Sequence, residues 1–324
     1  MIDHSLQMHP VLCDLCGTKE NTRFLLPCMV PEELPEAPWV VRCNHCGMLY
    51  TDPRPDIPGM TRLYQRYYDS SNGSVNRVLK KAKSYGWLRR LWHVYCGQYL
   101  TEMLGKATGR VLDVGCGTGG LLDELRQAGC DVHGIELNPD SVKTCIDKGL
   151  DVQCGALLNL EVPENSFDTV VLWHALEHLI SARKALEKIM RILKPGGRVF
   201  IYSPNANSYV ARYFRENWWA WHVPFHFYHF TPATICRLAG DLGFTMVKCG
   251  SKTPEYYIHK SIESLLNSKK RGCVFRLLPK AFYRWVGFRL MVAPVCRVLD
   301  LVMPKSGECL TVELQKPDRL PCGA

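Results

Sequence analysis

The chain has 324 residues, 47% of them apolar, enough for one large domain with additions or for two domains. No run of eighteen apolar residues occurs, which argues against a spanning helix, and the polar start Met1-Ile2-Asp3-His4 does not read as a signal peptide. The net charge of +9 is uneven: residues 252–305 hold eleven Lys or Arg against three acids, so the basic character is local, and the sixteen cysteines are expected to be reduced thiols of a cytoplasmic protein.

Residues 1–60 are rich in Cys, Pro and Gly and read as a small loop-rich module. Cys13-x-x-Cys16-Gly17 and Cys43-x-x-Cys46-Gly47 form two knuckles, each able to present two thiolates to one ion through a glycine-permitted turn. Four sulfurs give the closed tetrahedral set that suits structural zinc, so Cys13, Cys16, Cys43 and Cys46 are the expected zinc ligands, and Cys28 is not needed. Residues 61–108 read as a helical linker, with Leu63, Tyr64, Tyr67 and Tyr68 followed by a basic, aromatic stretch from Arg77 to Leu104.

From residue 110 strands and helices alternate: strand 110–115, helix 119–128, strand 131–137, helix 139–148, strand 151–155 and the nearly all-apolar strand 167–173. A long helix over about 175–193 is expected to stop at Lys194-Pro195-Gly196-Gly197, before strand 198–203. This order predicts an α/β fold with a doubly wound, Rossmann-like, mostly parallel sheet as the core, residues 109–251. Residues 204–230 break the rhythm as a loop dense in aromatics and histidines, expected to act as a substrate lid. Thr231 as N-cap and Pro232 at the first position start a helix to about Leu242, followed by strand 244–249. Residues 252–305 then form a basic helical insertion, with Pro279 and Pro294 dividing it into short helices, and 306–324 supply a last strand and a tail.

Gly115, Gly117 and Gly119 turn the first core strand into a helix while leaving room for a ligand against the main chain. Glu136 ends the next strand, where a carboxylate accepts two ribose hydroxyls, so the pattern points to an adenosine-type ligand. The whole run, Val111-Leu-Asp-Val-Gly-Cys-Gly-Thr-Gly119, Gly134-Ile135-Glu136, Phe167-Asp168, Leu176-Glu177-His178 and Leu193-Lys-Pro-Gly-Gly197, resembles the class I S-adenosylmethionine-dependent methyltransferases over about 108–250. The front end through Cys46-Gly47-Met48-Leu49-Tyr50-Thr51-Asp52-Pro53 is similar to the zinc-bearing module found on many of them, including some sugar C-methyltransferases, which generally continue into a further C-terminal domain that is not expected here.

The resemblance implies roles by position. Gly115, Cys116, Gly117 and Gly119 would lie along the methionine part of S-adenosylmethionine, Asp113 near its amino group, Glu136 on the ribose and Leu137 against adenine. Ala156 stands where such enzymes often carry an aspartate to the adenine, and His174 lines the methionine pocket. His174, Glu177 and His178 also spell an inverted zinc-peptidase motif, which the surrounding strands discount. Two readings stay open for them: Glu177 and His178 cap and orient their helix, or His178 is the general base, with a divalent ion at Glu177 and His178 as a variant. His222 and His226 are further candidate bases in the aromatic loop.

The expected acceptor is a small molecule, first a sugar or lipid-linked glycan and next a quinone-like phenol. An RNA base is the rival substrate, and a non-catalytic cofactor-binding scaffold the rival role. Residues 274–303 mix arginines with apolar residues; ordinary packing ranks first for them, contact with the inner face of the membrane second and nucleic acid last.

Overall fold

The computed structural model describes residues 6–28, 30–67, 103, 105–267 and 286–318. The predicted stretch 77–104, apart from Met103, and the insertion's residues 268–285 lie outside them.

The N-terminal region contains β1 (Met8–His9), β2 (Asn21–Leu25), β3 (Trp39–Cys43), β4 (Leu49–Asp52) and β5 (Arg54–Pro55), then α1 (Ile57–Tyr67). The core follows as β6 (Arg110–Val114), α2 (Gly120–Gln127), β7 (Asp131–Glu136), α3 (Pro139–Ile146), β8 (Asp151–Cys154), β9 (Phe167–Trp173), α4 (Ala182–Ile192) and β10 (Leu193–Pro204). Next come α5 (Tyr209–Phe214), β11 (Tyr228–His229), α6 (Pro232–Asp241), β12 (Thr245–Lys252), α7 (Glu255–Asn267), α8 (Val286–Val302) and β13 (Cys309–Gln315).

The seven-stranded sheet has the order β12-β13-β10-β9-β6-β7-β8. Pairing is parallel from β10 through β8, and β13 runs antiparallel to both its neighbours. Winding outward from β6 to β8 and from β9 to β10 places a switch point between β6 and β9, where an open α/β sheet leaves a crevice at the strands' carboxyl ends. The period-two alternation sends Leu112 and Val170 to one buried face and Val111 and Val171 to the other. Asn138 caps α3, accepting from Asp140 N at 2.9 Å and Ser141 N at 3.1 Å with Pro139 at the first helical position, and Thr231 and Thr234 form a reciprocal capping box on α6.

Four expectations are corrected. The helix predicted over 175–193 is a 3-10 turn at Leu176–His178, a break, and then α4, because the Ser181 side chain caps a fresh helix by accepting from Lys184 N at 3.1 Å. Strand β10 begins at Leu193, taking in Lys194-Pro195-Gly196-Gly197 through a register shift against β9. Pro294 does not divide the insertion but sits inside the seventeen-residue α8. The segment 204–230 is not all loop: it carries α5 and 3-10 turns and ends in β11, which pairs antiparallel with β4.

That pairing joins the N-terminal region to the segment that follows β10. Strand β11 is the fourth strand of a sheet ordered β11-β4-β3-β2, and Leu15, Val41, Met48 and Tyr50 belong to the same buried cluster as Leu112, Leu172 and Ile189. The N-terminal region therefore shares one hydrophobic core with the large sheet.

Candidate active site

At the end of β6 the main chain turns through Gly115, Gly117 and Gly119, all with φ between 54° and 78°. A Cβ at Gly119 would collide with Leu150 and Cys145, whereas the space beside Gly117 is open to beyond 4 Å. Gly117 N donates to one carboxylate oxygen of Glu136 and Asn138 N to the other, each at 2.9 Å. Glu136 thus braces the glycine turn and keeps further lone pairs on both oxygens. Gly155 N donates to Glu136 O at 2.9 Å, which puts Ala156 on the same rim, and the Leu137 side chain is 64% exposed beside it. Asp113 is buried and its Oδ1 has no hydrogen-bond partner. Burial, with the charge of Glu136 nearby, pushes its acid up to about 7. An orphaned buried carboxylate, an open cradle at Gly117 and a braced carboxylate one strand away suit a ligand with an ammonium at one end and a ribose at the other, so these residues fit S-adenosylmethionine.

The segment after β9 lies against this turn, since a Cβ at Gly115 would come within 3.2 Å of Ala175 Cβ. His174 has φ 52°, a left-handed conformation uncommon for a side-chain-bearing residue, and its N donates to Tyr202 O at 2.8 Å. Its ring bridges two groups, with Nδ1 3.2 Å from Glu177 Oε1 and Nε2 2.9 Å from the Tyr257 hydroxyl. Glu177 is fully buried, and its second oxygen has no partner. Burial works to raise its acid, but the His174 bond and the fields of His174 and His178 outweigh this and hold it below the usual range.

His178 Nδ1 lies 3.0 Å from Phe225 O and 2.9 Å from the Tyr64 hydroxyl. A carbonyl only accepts, so the bond to Phe225 places the proton on Nδ1 and leaves Nε2 as the basic nitrogen. His226 repeats the arrangement, Nδ1 donating to Ala220 O at 2.8 Å, and its ring meets that of His178 edge-on at 4.5 Å. His222, at φ 40°, stacks on Trp219 at 5.6 Å and meets His226 at 5.0 Å. Burial lowers the pKa of all three imidazolium groups, to about 3 at His222 and well below normal at His226, so these rings are neutral at pH 7. Ligand atoms of Glu177, His178 and His226 lie within 4.8 Å of one another.

The four knuckle cysteines also cluster, with Sγ atoms 3.4 Å apart for Cys13 and Cys46 and 3.5 Å for Cys16 and Cys43. Gly17 and Gly47, at φ 77° and 76°, close the two turns by donating to Cys13 O and Cys43 O. Four soft donors converging on one point fit a tetrahedral metal.

The structure thus places Asp113, Gly115, Cys116, Gly117, Gly119, Glu136, Leu137 and Ala156 around the β6–β7 crevice, and His174, His178, His222 and His226 around the end of β9. His174, Glu177 and His178 do not share an α-helical face, because Glu177 and His178 lie in a 3-10 turn and His174 precedes it at φ 52°. Tyr64, Phe225 O and Tyr257 were missed by sequence reasoning: two belong to distant segments and one is a main-chain atom, and no local pattern marks them.

The family profile described as "Methyltransferase domain" matches residues 88–249, half of the chain. A ubiquinone biosynthesis O-methyltransferase of Xanthomonas oryzae pv. oryzae is 33% identical over 114 residues, 33% of this chain and 48% of the relative. One of the same name from Aeromonas salmonicida is 28% identical over 159 residues, 45% of this chain and 67% of the relative. The chain thus spans about half the length of the first of these relatives. A solved S-adenosylmethionine-dependent methyltransferase from Archaeoglobus fulgidus aligns with 22% identity and a TM-score of 0.45 over 79% of this chain and 99% of that one. With a braced glycine turn, an orphaned aspartate and the family profile in agreement, the chain belongs to the methyltransferase-domain family, the class I S-adenosylmethionine-dependent methyltransferases.

Proposed function

We propose that this chain moves a methyl group from S-adenosylmethionine to a hydroxyl of a small, flat, phenol-type acceptor. The observation that carries this is His178: a neutral imidazole with its proton held on Nδ1 by Phe225, beside a buried carboxylate, on the turn that abuts the glycine loop. The bound cofactor supplies an electrophilic methyl and a neutral leaving group. The protein's own residues do the rest. Asp113, Glu136 and the Gly117 cradle hold the cofactor, and His178 Nε2 takes the hydroxyl proton as the oxygen gains the methyl. Glu177 offsets the charge that His178 then carries. Tyr64, Phe225, His222 and Trp219 pack ring to ring beside His178 and supply aromatic surface that suits a planar acceptor, and the relatives' name, ubiquinone biosynthesis O-methyltransferase, favours the quinone-like acceptor over the sugar preferred from sequence alone.

A second reading has one specific support. Glu177, His178 and His226 bring two imidazoles and an ionised carboxylate together, with one carboxylate oxygen orphaned, which fits a divalent cation that would acidify a bound hydroxyl. The four cysteines are read as a structural zinc site.

No helix among the described residues is long and apolar enough to cross a membrane. Val295, Val298, Leu301 and Val302 of α8 are more than half exposed, in a segment with eleven basic residues against three acids, which supports contact with an anionic membrane surface and a lipid-carried acceptor.

The test offers the purified chain methyl-labelled S-adenosylmethionine with 3,4-dihydroxybenzoate, a nucleotide-sugar panel or RNA. Methylated phenol is the expected product. A methylated sugar, a methylated RNA whose yield collapses with salt, or no product with any acceptor would overturn the assignment.

A further inference from the structure

We infer that the N-terminal module is a working part of the acceptor side of the site, and that Tyr64 on α1 is a positioning residue for His178. This rests on reading His178 as the base.

The module grips both segments that carry the histidines. On the first, the Asp14 carboxylate accepts from Ser181 Oγ at 2.7 Å and from Arg183 N at 2.8 Å, just past the His174–His178 turn. On the second, β4 pairs with β11, Thr51 Oγ1 donates to His226 O at 2.6 Å, and the same hydroxyl lies 3.1 Å from His229 Nε2. Arg54 is buried, donates to Thr51 O and Phe227 O at 2.9 Å each, and lies 4.7 Å and 4.6 Å from the ring centres of Phe227 and Tyr228. The two segments are also tied to each other, since Phe227 N donates to Glu177 O and the Tyr228 hydroxyl to Ile180 O, both at 2.8 Å.

Tyr64 lies at the centre of this frame. Its oxygen is 2.9 Å from His178 Nδ1, and its ring packs edge-on against Phe225 at 5.2 Å. The imidazole therefore has two oxygens on its Nδ1 side, Phe225 O and Tyr64 Oη, each from a different part of the chain. Together they set the plane of the ring and the direction of Nε2. A phenylalanine at position 64 keeps the packing and deletes only the oxygen.

The experiment compares the full chain with Tyr64→Phe, Tyr67→Phe and His178→Gln. Tyr67, one turn along α1, donates instead to Glu33 at 2.8 Å and serves as the control. Readouts are S-adenosylhomocysteine affinity by calorimetry, kcat and KM with 3,4-dihydroxybenzoate, and the ring-nitrogen NMR signals of His178 in protein labelled at histidine. Tyr64→Phe is expected to lower kcat about five- to tenfold, with KM and cofactor affinity within about twofold, as one lost hydrogen bond implies. The His178 Nδ1 signal should shift as its N–H loses one of two acceptor oxygens while Phe225 keeps the tautomer, and Tyr67→Phe should leave it in place. His178 ring signals in Tyr64→Phe identical to wild type would overturn the inference, and they decide it whether or not the probe is turned over. Full turnover by His178→Gln would instead overturn the base assignment while leaving the ring signals to report on Tyr64.

Discussion

Replacing Glu136 by alanine isolates the cofactor side of the site. The carboxylate accepts Gly117 N and Asn138 N at 2.9 Å each, and in the assigned role its remaining lone pairs take two ribose hydroxyls. Two hydrogen bonds to a charged acceptor contribute about 3–6 kcal/mol together, so a central value near 4 kcal/mol predicts about a thousandfold weaker cofactor binding. The fold should survive. Glu136 is only half-buried at the strand's end, so the two main-chain N–H groups it releases can reach water, at a cost of about 1 kcal/mol. The core beneath, Val111, Leu112, Val114 and Ile135, is untouched. A second consequence follows from the charge. Glu136 is the neighbour that, after burial, pushes the Asp113 acid up, so the variant's Asp113 should titrate lower. Calorimetry with S-adenosylhomocysteine and a thermal melt read both effects. A dissociation constant within about threefold of wild type, in a protein that melts normally, would refute the assignment of Glu136 to the ribose.

Cofactor affinity should itself depend on pH. Free Asp113 titrates at about 7, and an ammonium beside it favours the carboxylate. Binding must therefore release a proton below that pH, so affinity should fall up to about tenfold per unit as pH drops below 7 and level off above it, read from binding heats in buffers of different ionisation enthalpy. Equal affinity at about pH 5.5 and 7.5 would count against a free Asp113 that is protonated in acid. His178→Gln should lower kcat by about a hundredfold or more with cofactor affinity nearly unchanged, measured with 3,4-dihydroxybenzoate, as expected when a general base is lost. Cys13→Ser should lose bound zinc by elemental analysis and lower the melting temperature, because Cys13 is fully buried in the core shared with the main sheet; unchanged metal content would exclude Cys13 as a ligand. Leu301→Asp should weaken cosedimentation with phosphatidylglycerol vesicles, since Leu301 is 81% exposed on α8; equal sedimentation would remove α8 from the membrane contact.

The glycine turn, its bracing carboxylate and the strands around them were legible in the chain itself. Strands such as Phe167–Trp173 are contiguous apolar runs, the turn after β6 is written in three glycines, and the carboxylate that braces it ends the very next strand. All of this is local: period, turn chemistry and the order of neighbouring elements specify it within about thirty residues. The histidine cluster, the proposed acceptor side, is built from residues far apart in sequence. Tyr64 meets His178 across 114 positions, Thr51 meets His226 across 175 and Tyr257 meets His174 across 83. No pattern in a single sequence encodes which distant strand will claim an unpaired edge, and here the edge of β4 claims Tyr228–His229. The same long-range packing breaks the predicted helix at Ser181, whose hydroxyl is held by Asp14 of the module. The glycine turn and its brace thus belong to the local grammar of the chain. The neutral histidines and the frame that aims them exist only once the N-terminal strands and the segment after β10 close into one core with the large sheet, because burial and distant hydrogen-bond partners are properties of the folded whole.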